Sequence, residues 1–366
     1  MAIYDLVFEG GGAKGSAFVG ALEALQDAGH TQRRLIGTSA GAITATFLAA
    51  GYSPQEMLEA VNERLDNGKP RFSTFMDPPS AQDFSEEVRE NSETMGVFKA
   101  IHLPGLPNFH GLDRMLLNAL LASRQYCQLF SFVECGGFFA GVKFLKWLQE
   151  KLAVKGFPAN ITLASFFNQT GRDLSLVASD TSDVEMLVLN HRTAPDCPLA
   201  WAVRMSMSIP FVWREVVWQD EWGLYVGRKK AGNIIVDGGV LSNFPIRLIA
   251  TEPADDPFVA DVMGNTIASE AANLGLLIDE KLSVSGVEDT STPPRLIGHL
   301  RTVQRVSRII DTMTQSQDNS IIQRHEHEIC RLPAKGYGTT EFDMTDLRLR
   351  ALIEAGRNAM MKHLNL

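Results

Sequence analysis

Only four cysteines, Cys127, Cys135, Cys197 and Cys330, occur in 366 residues, and none are spaced as C-x-x-C. That excludes a zinc framework, and so few thiols cannot staple a disulfide scaffold, which fits a reducing compartment. Long apolar runs are missing as well. The longest, around Phe138 to Leu148, is broken by Lys143 and Lys146, so nothing approaches the roughly 20 residues of a bilayer-spanning helix. Met1 to Phe8 leads straight into Glu9-Gly10-Gly11-Gly12, with none of the segments of a signal peptide. The expectation is a cytoplasmic protein, with peripheral membrane contact or signal-less export left open. Positive charge is short too: 34 Lys and Arg against 43 Asp and Glu give a net charge of −9. Without a basic run, such a chain is poorly suited to hold a polyanion. Nucleic acid is not an expected partner.

What remains is an ordinary globular balance, 45% hydrophobic and 21% charged, enough to bury a sizeable core. Ile3 to Phe8 reads as a buried strand. A glycine loop follows, then a helix with Phe18, Ala21, Leu22 and Leu25 on one face and Gly29 as its C-terminal stop. Arg34-Leu35-Ile36 reads as a second strand, and a second helix carries Ile43, Phe47 and Ala50 and ends at Gly51. This βαβα opening predicts a parallel sheet with helices packed on it.

The glycine loop Gly10-Gly11-Gly12-Ala13-Lys14-Gly15 contains G-x-G-x-x-G, the dinucleotide fingerprint. That reading needs an acidic residue ending the second strand to hold a ribose hydroxyl. The strand ends instead in Gly37-Thr38-Ser39-Ala40-Gly41. G-x-S-x-G between a strand and a helix is a nucleophile elbow: the serine projects from a sharp turn, and flanking glycines remove side chains that would collide. The helix behind it aims amide groups at a developing oxyanion. The glycine loop then gains a role, with the amides of Gly11, Gly12 and Ala13 approaching a substrate carbonyl. The plainer alternative makes Ser39 a helix N-cap. Lys14 is either a cation for a lipid phosphate or a solvated surface lysine.

A nucleophilic serine needs a proton acceptor. None of the eight histidines, His30, His102, His110, His191, His299, His325, His327 and His363, sits in a recognisable strand-end motif. His325-x-His327 lies in a charged stretch best read as solvated surface, and no third metal ligand accompanies it. Asn233 to Val236 reads as a buried strand running into Asp237-Gly238-Gly239. That would hold a carboxylate at the same sheet edge as the elbow, unless Asp237 merely forms an Asx turn.

Taken in order, the glycine loop, Gly37-Thr38-Ser39-Ala40-Gly41 and Asp237-Gly238-Gly239 resemble the signatures of the patatin-like phospholipases. Met205-Ser206-Met207-Ser208-Ile209-Pro210-Phe211 is similar to the family's Ser-rich segment. Glu341 to Met344 and Leu352 to Gly356 look like its closing strand-to-helix pattern. The resemblance implies a three-layer α/β/α fold with a mainly parallel central sheet. It also implies a Ser39–Asp237 dyad, acyl transfer through an oxyanion hole built by the glycine loop, and neither cofactor nor metal. The implied substrate is a phospholipid or other acyl ester at a membrane surface.

Four tryptophans, Trp201, Trp213, Trp218 and Trp222, read as core or as a membrane-facing rim. Phe130 to Leu148 reads as a buried helix or part of an acyl channel. The whole chain, 1–366, is expected to form one catalytic domain with insertions at about 66–130 and 253–295, with residues about 66–110 irregular and suited to a lid. Two other readings compete: an α/β-hydrolase with a Ser-His-Asp triad, and a nucleotide-binding module using the glycine loop.

Overall fold

The computed structural model describes residues 1–100, 110–264, 271–287, 320–339 and 341–366. Twelve strands occur among them: β1 (Ile3–Phe8), β2 (Thr31–Thr38), β3 (Gly137–Phe139), β4 (Asp173–Asp180), β5 (Glu185–Leu189), β6 (Phe211–Trp213), β7 (Val216–Val217), β8 (Leu224–Tyr225), β9 (Arg228–Lys229), β10 (Ile234–Asp237), β11 (Ala272–Ser283) and β12 (Ile329–Lys335). Eight form one sheet in the order β12-β11-β1-β2-β4-β10-β7, with β5 also paired to β4. The run from β12 to β4 is parallel, whereas β5, β10 and β7 join antiparallel.

Alternation along the strands builds the layers. In β1, Leu6 and Phe8 enter one apolar cluster and Val7 the other. Leu35 and Ile36 divide in the same way, as do Leu176 and Val177, and Leu276 and Leu277. Successive side chains of a strand point to opposite faces, so both faces of this sheet are buried. The larger cluster is completed by helices α1 (Ala17–Asp27), α2 (Ala40–Ala49) and α3 (Pro54–Val61), together with the C-terminal helix Asp346–His363. The smaller one lies under the Arg247–Ala250 and Pro257–Met263 helices. This is the expected α/β/α sandwich with a mainly parallel sheet.

Several local expectations change. Among the described residues of the stretch 66–110, two short α-helices, Glu86–Glu90 and Glu93–Ala100, interrupt the irregular chain. Helices Glu86–Glu90, Glu93–Ala100, His110–Leu121 and Arg124–Cys135 surround a small cluster that includes Phe84, Met95, Leu117 and Phe130. Residues 101–109, with His102, lie outside the described residues. The supposed insertion at 253–295 contains β11, a strand of the main sheet beside β1. Its charged second half, Asp279-Glu280-Lys281, concealed it. The stretch 288–319, with His299, lies outside the described residues. Glu341 to Met344 is a turn segment, not a strand; the strand preceding the last helix is β12. Trp213, Trp218 and Trp222 are buried and Trp201 is half-buried, so the tryptophans belong to the core.

Candidate active site

β2 delivers Thr38 to the sheet's edge and α2 begins at Ala40, leaving Ser39 on the turn with φ 53° and ψ −118°. A non-glycine residue held there stores strain on the order of 1–3 kcal/mol. The turn closes so tightly that a Cβ on Gly37 would lie 2.2 Å from the Gly41 carbonyl oxygen, and one on Gly41 2.3 Å from that of Phe8. Ser39 occupies the N-cap position of α2, yet its side chain makes no capping hydrogen bond. The hydroxyl is therefore left for other work.

The sheet brings Asp237 to it. β5 pairs with Leu176 to Asp180 of β4, so β2 and β10 must share the opposite edge of β4. β2 reaches Thr38 opposite Val177, and β10, running the other way, reaches Asp237 opposite Ala178. The two strands meet end to end on consecutive residues of β4. Asp237 is 4% exposed and Ser39 6%. Asp237 Oδ1 accepts the Gly239 amide at 2.7 Å, so the Asx turn is present alongside the active-site placement. Oδ2 is buried and accepts no hydrogen bond among the described residues. Burial pushes the carboxyl up to about 7, against the Gly239 amide and the Ser39 hydroxyl, which pull it down.

The glycine loop lies beside this pair. The Gly10 amide donates to the Asn243 carbonyl at 3.0 Å, and Asn243 Nδ2 donates back to the Gly10 carbonyl at 2.9 Å. Of the three amides expected to face a substrate, that of Ala13 is already bound to the Thr339 carbonyl at 2.8 Å. The amides of Gly11 and Gly12 form no hydrogen bond among the described residues. Gly12 takes φ 56°, and a Cβ there would fall 2.0 Å from the Thr339 carbonyl oxygen. Gly15 packs its Cα against Ala40, where a Cβ would come within 2.8 Å of the Ala40 methyl. Lys14 is neither solvated nor directed at a ligand: it is 4% exposed and paired with Glu280.

One set of residues acquires a positional role that spacing alone did not reveal. The helix Leu199–Ser206 ends beneath both strand ends. Ser206 Oγ accepts the Ser39 amide at 3.0 Å and donates to the Val177 carbonyl at 2.6 Å. The Ser208 carbonyl accepts the Asp237 amide at 2.9 Å, and Ser208 Oγ is held by the buried Arg204 guanidinium. Burial pushes Arg204 down to about 10, with the Asp77 charge opposing.

From Ser39 a cleft opens, about 1120 Å³ including its mouth. Gly12, Ser39 and Ala40 take part in its lining. So do the apolar Ile43, Phe47, Phe72, Phe75, Trp147 and Trp213 and the polar Asn62, Arg64 and Asp346. The stretch read as one buried helix or a channel is instead the end of the Arg124–Cys135 helix, β3 and the helix Val142–Val154, and Phe144 lies on the buried face of the last and also lines the cleft. No histidine lines it among the described residues. His325 pairs with Glu328, and His327 is exposed. Among the described residues the carboxylates close enough to hold a metal, Asp180, Asp183 and Glu185, converge instead on the ammonium of Lys230. No helix among the described residues is long and apolar enough to cross a membrane.

The chain is 28% identical over 360 residues to the uncharacterized protein YqhO of Bacillus subtilis (strain 168), covering 96% of this chain and 95% of that one. It is 21% identical over 241 residues to the probable lipid hydrolase 463L of Invertebrate iridescent virus 6, covering 66% of this chain and 61% of the other. Among solved structures, VipD from Legionella pneumophila aligns with a TM-score of 0.49 at 16% identity, over 99% of this chain and 66% of its own. The type III effector ExoU of Pseudomonas aeruginosa aligns at 0.44 and 18% identity, over 100% and 53%. The chain thus spans between half and two thirds of those two proteins. The family profile described as Patatin-like phospholipase matches residues 6–250, and the chain belongs to that family.

Proposed function

We propose that the protein is a serine acyl hydrolase that cleaves fatty-acyl esters of phospholipids or lysophospholipids with a Ser39–Asp237 dyad. The observation that carries this reading is the buried Asp237 carboxyl, pushed up to about 7, at the meeting point of the strand ends that bear it and Ser39. A carboxylate of ordinary pKa is a feeble base at neutral pH; one near 7 is matched to the task.

In the first half-reaction Asp237 takes the hydroxyl proton as Ser39 Oγ bonds to the ester carbonyl carbon. The amides of Gly11 and Gly12 hold the oxyanion, where each donor is worth roughly 2.7–4 kcal/mol in comparable sites. The C–O bond to the alcohol then breaks, and Asp237 returns the proton to the leaving oxygen. Water, deprotonated by the same carboxylate, attacks the acyl-enzyme; the bond from the acyl carbon to Ser39 Oγ breaks, Asp237 returns the proton to Oγ, and the fatty acid leaves. The apolar cleft suits the acyl chain. With a net charge of −9, docking to an anionic bilayer would rest on apolar contact, a local basic patch or a partner protein, and zwitterionic surfaces are the better substrate.

The test is fatty-acid release from phosphatidylcholine vesicles and from short p-nitrophenyl esters, by wild type, Ser39→Ala and Asp237→Ala. Both substitutions should abolish turnover. Full activity in the Asp237 variant would overturn the dyad, and loss of turnover in a single His→Ala variant would point to a triad instead.

A further inference from the structure

We propose that Glu341 and Arg348 are positioning residues of the oxyanion hole: their ion pair holds the Thr339 carbonyl against the glycine loop and so fixes the amides of Gly11 and Gly12. The proposal rests on the acyl-hydrolase reading and adds to that site a part lying beyond the stretch 6–250 matched by the family profile. An oxyanion hole works by donors that are fixed before the charge develops. Gly10-Gly11-Gly12 has little stiffness of its own, because glycine is the least restricted residue, so the loop must be held from outside. It is pinned on both sides of the two free amides. Asn243 exchanges hydrogen bonds with Gly10, and the Thr339 carbonyl accepts the Ala13 amide at 2.8 Å. Gly12 lies so close to the same carbonyl oxygen that a Cβ would come within 2.0 Å of it.

Thr339 is itself exposed, so its carbonyl stays in place only as firmly as its neighbours do. Arg348, in the first turn of the helix Asp346–His363, reaches back to them. Its Nε and Nη2 donate to the Glu341 carboxylate at 2.8 and 3.1 Å, and Nη2 also donates to the Gly336 carbonyl at 2.7 Å. Glu341 Oε2 in turn accepts the Gly338 amide at 3.0 Å. The guanidinium lies 4.3 Å from the centre of the Tyr337 ring, and the Tyr337 hydroxyl donates to the Arg348 carbonyl at 2.8 Å. Residues on both sides of Thr339 are thus tied to Arg348, directly or through Glu341. The two side chains are 23% and 12% exposed, and a bidentate pair so sheltered is stronger and less screened than one in open solvent. The helix that carries Arg348 is seated on α1, the helix that leaves the glycine loop. A Cβ on Gly356 would fall 2.1 Å from the Ala17 carbonyl oxygen, and one on Gly20 1.9 Å from that of Ile353. Loop and clamp therefore rest on one closely packed helix pair. Glu341 lines the cleft with Gly12 and Ser39, whereas Arg348 does not, so a change at Arg348 reaches the reaction only through what it holds.

The test compares wild type with Arg348→Ala, Arg348→Lys, Glu341→Gln and the double variant Glu341→Gln with Arg348→Ala. Two quantities are read: hydrolysis of p-nitrophenyl butyrate, and inhibition by an alkyl trifluoromethyl ketone. The ketone oxygen becomes an oxyanion when Ser39 Oγ adds to its carbonyl carbon and the hydroxyl proton passes to Asp237. Arg348→Ala should lower kcat by on the order of ten- to a hundredfold, as small displacements of catalytic groups do, with KM little changed. The inhibitor should weaken by a similar factor, since it shares the charge of the transition state. Arg348→Lys keeps the charge without the bidentate fork and should fall between. Glu341→Gln should resemble Arg348→Ala, and the double variant should lose little more than either single, because the two residues act as one unit. The apparent pKa of kcat/KM should stay at its wild-type position, since Asp237 keeps its surroundings. Loss of thermal stability with kcat and inhibitor affinity intact, or an effect wholly in KM, overturns the positioning role and leaves the hydrolase reading standing. Should Arg348→Ala fail to fold, Arg348→Lys and Glu341→Gln decide by the same measurements. A folded wild type that hydrolyses neither the ester nor vesicle phospholipids overturns both.

Discussion

The backbone amide of Ser39 donates to Ser206 Oγ at 3.0 Å, and the same hydroxyl donates to the Val177 carbonyl at 2.6 Å. One buried side chain thus ties the strained turn to β4, the strand along which Asp237 arrives. Ser206→Ala leaves the Ser39 amide and the Val177 carbonyl unsatisfied, a penalty of about 1–3 kcal/mol for a buried group. The turn can relax by releasing its φ of 53°, which swings Oγ away from Asp237. The expected result is a fall in kcat of roughly ten- to a hundredfold, by the 1.36 kcal/mol that each tenfold represents, with little change in KM. Slower labelling of Ser39 by a fluorophosphonate should accompany it. A variant that loses only thermal stability, with kcat intact, would deny Ser206 this positioning role.

The Asp237 carboxyl predicts opposite pH trends for activity and stability. As a base it works only when ionised, so kcat/KM should rise with pH through an apparent pKa near 7. Its folded pKa lies above the ordinary carboxylate value because burial disfavours the charge. Between about pH 4 and 7 the folded state therefore binds more protons than the unfolded state, and stability falls as pH rises through that window. Asp237→Asn removes the charge and should be inactive yet more stable than wild type at pH 8, by on the order of 4 kcal/mol at most. Thermal unfolding of both proteins at pH 5 and pH 8 checks the sign: the advantage of the variant should shrink at the lower pH. A variant no more stable than wild type at pH 8 would mean that Asp237 is not desolvated.

Much of this site was legible because its chemistry is local in sequence. Gly37 and Gly41 flank Ser39 within five residues, and the close approaches of 2.2 and 2.3 Å are what the G-x-S-x-G spacing encodes. The short apolar runs of β1 and β2 in βαβα order likewise announced a parallel sheet with helices packed on it. What escaped depends on contacts between distant segments. The Ala13 amide looked free until Thr339, more than 300 positions away, was found to hold it. Ser206 could be noticed, but no spacing rule says that it receives the Ser39 amide. β11 was hidden because its outer half, with Glu280 reaching for Lys14, carries charges that a buried strand would not. Lys14 itself reads in sequence as a phosphate-binding cation or a solvated lysine, and neither reading foresees that it is buried and paired with Glu280.

The elbow glycines make a packing prediction independent of activity. A methyl on Gly41 would press on the backbone of β1, at the Phe8 and Glu9 carbonyls, which cannot rotate away. Gly41→Ala should therefore lower stability by about 1–3 kcal/mol, as overpacking does, and abolish turnover through displacement of Ser39. At Gly29, where a Cβ would meet nothing within 4 Å, an alanine has only its φ of 72° to overcome, a smaller burden, and activity should survive. Chemical denaturation and ester hydrolysis of the two variants separate crowding at the elbow from a general intolerance of substitution. Equal loss of activity in both would contradict the assignment.

Lys230 offers a last test, away from the dyad. Its ammonium is almost wholly buried and meets Asp180 at 2.9 Å, Asp183 at 2.5 Å and Glu185. Burial alone would lower its pKa, but the three carboxylates outweigh that and hold it above the ordinary lysine value. Asp180 lies at the end of β4, two residues past Ala178, the partner of Asp237, and itself pairs with Ile235 of β10. Lys230→Met strips the buried Asp180 of its counter-charge, and breaking a buried pair from one side costs about 3–5 kcal/mol. In that variant the stranded carboxyls gain a raised folded pKa, so stability should recover as pH falls and they protonate. The cluster then also resembles a cation site, and millimolar calcium should restore part of the lost stability in Lys230→Met while leaving wild type unmoved. Unfolding curves across pH, with and without calcium, check each step, and a variant as stable as wild type at pH 8 would remove Lys230 from the forces that hold the β10 end of the site.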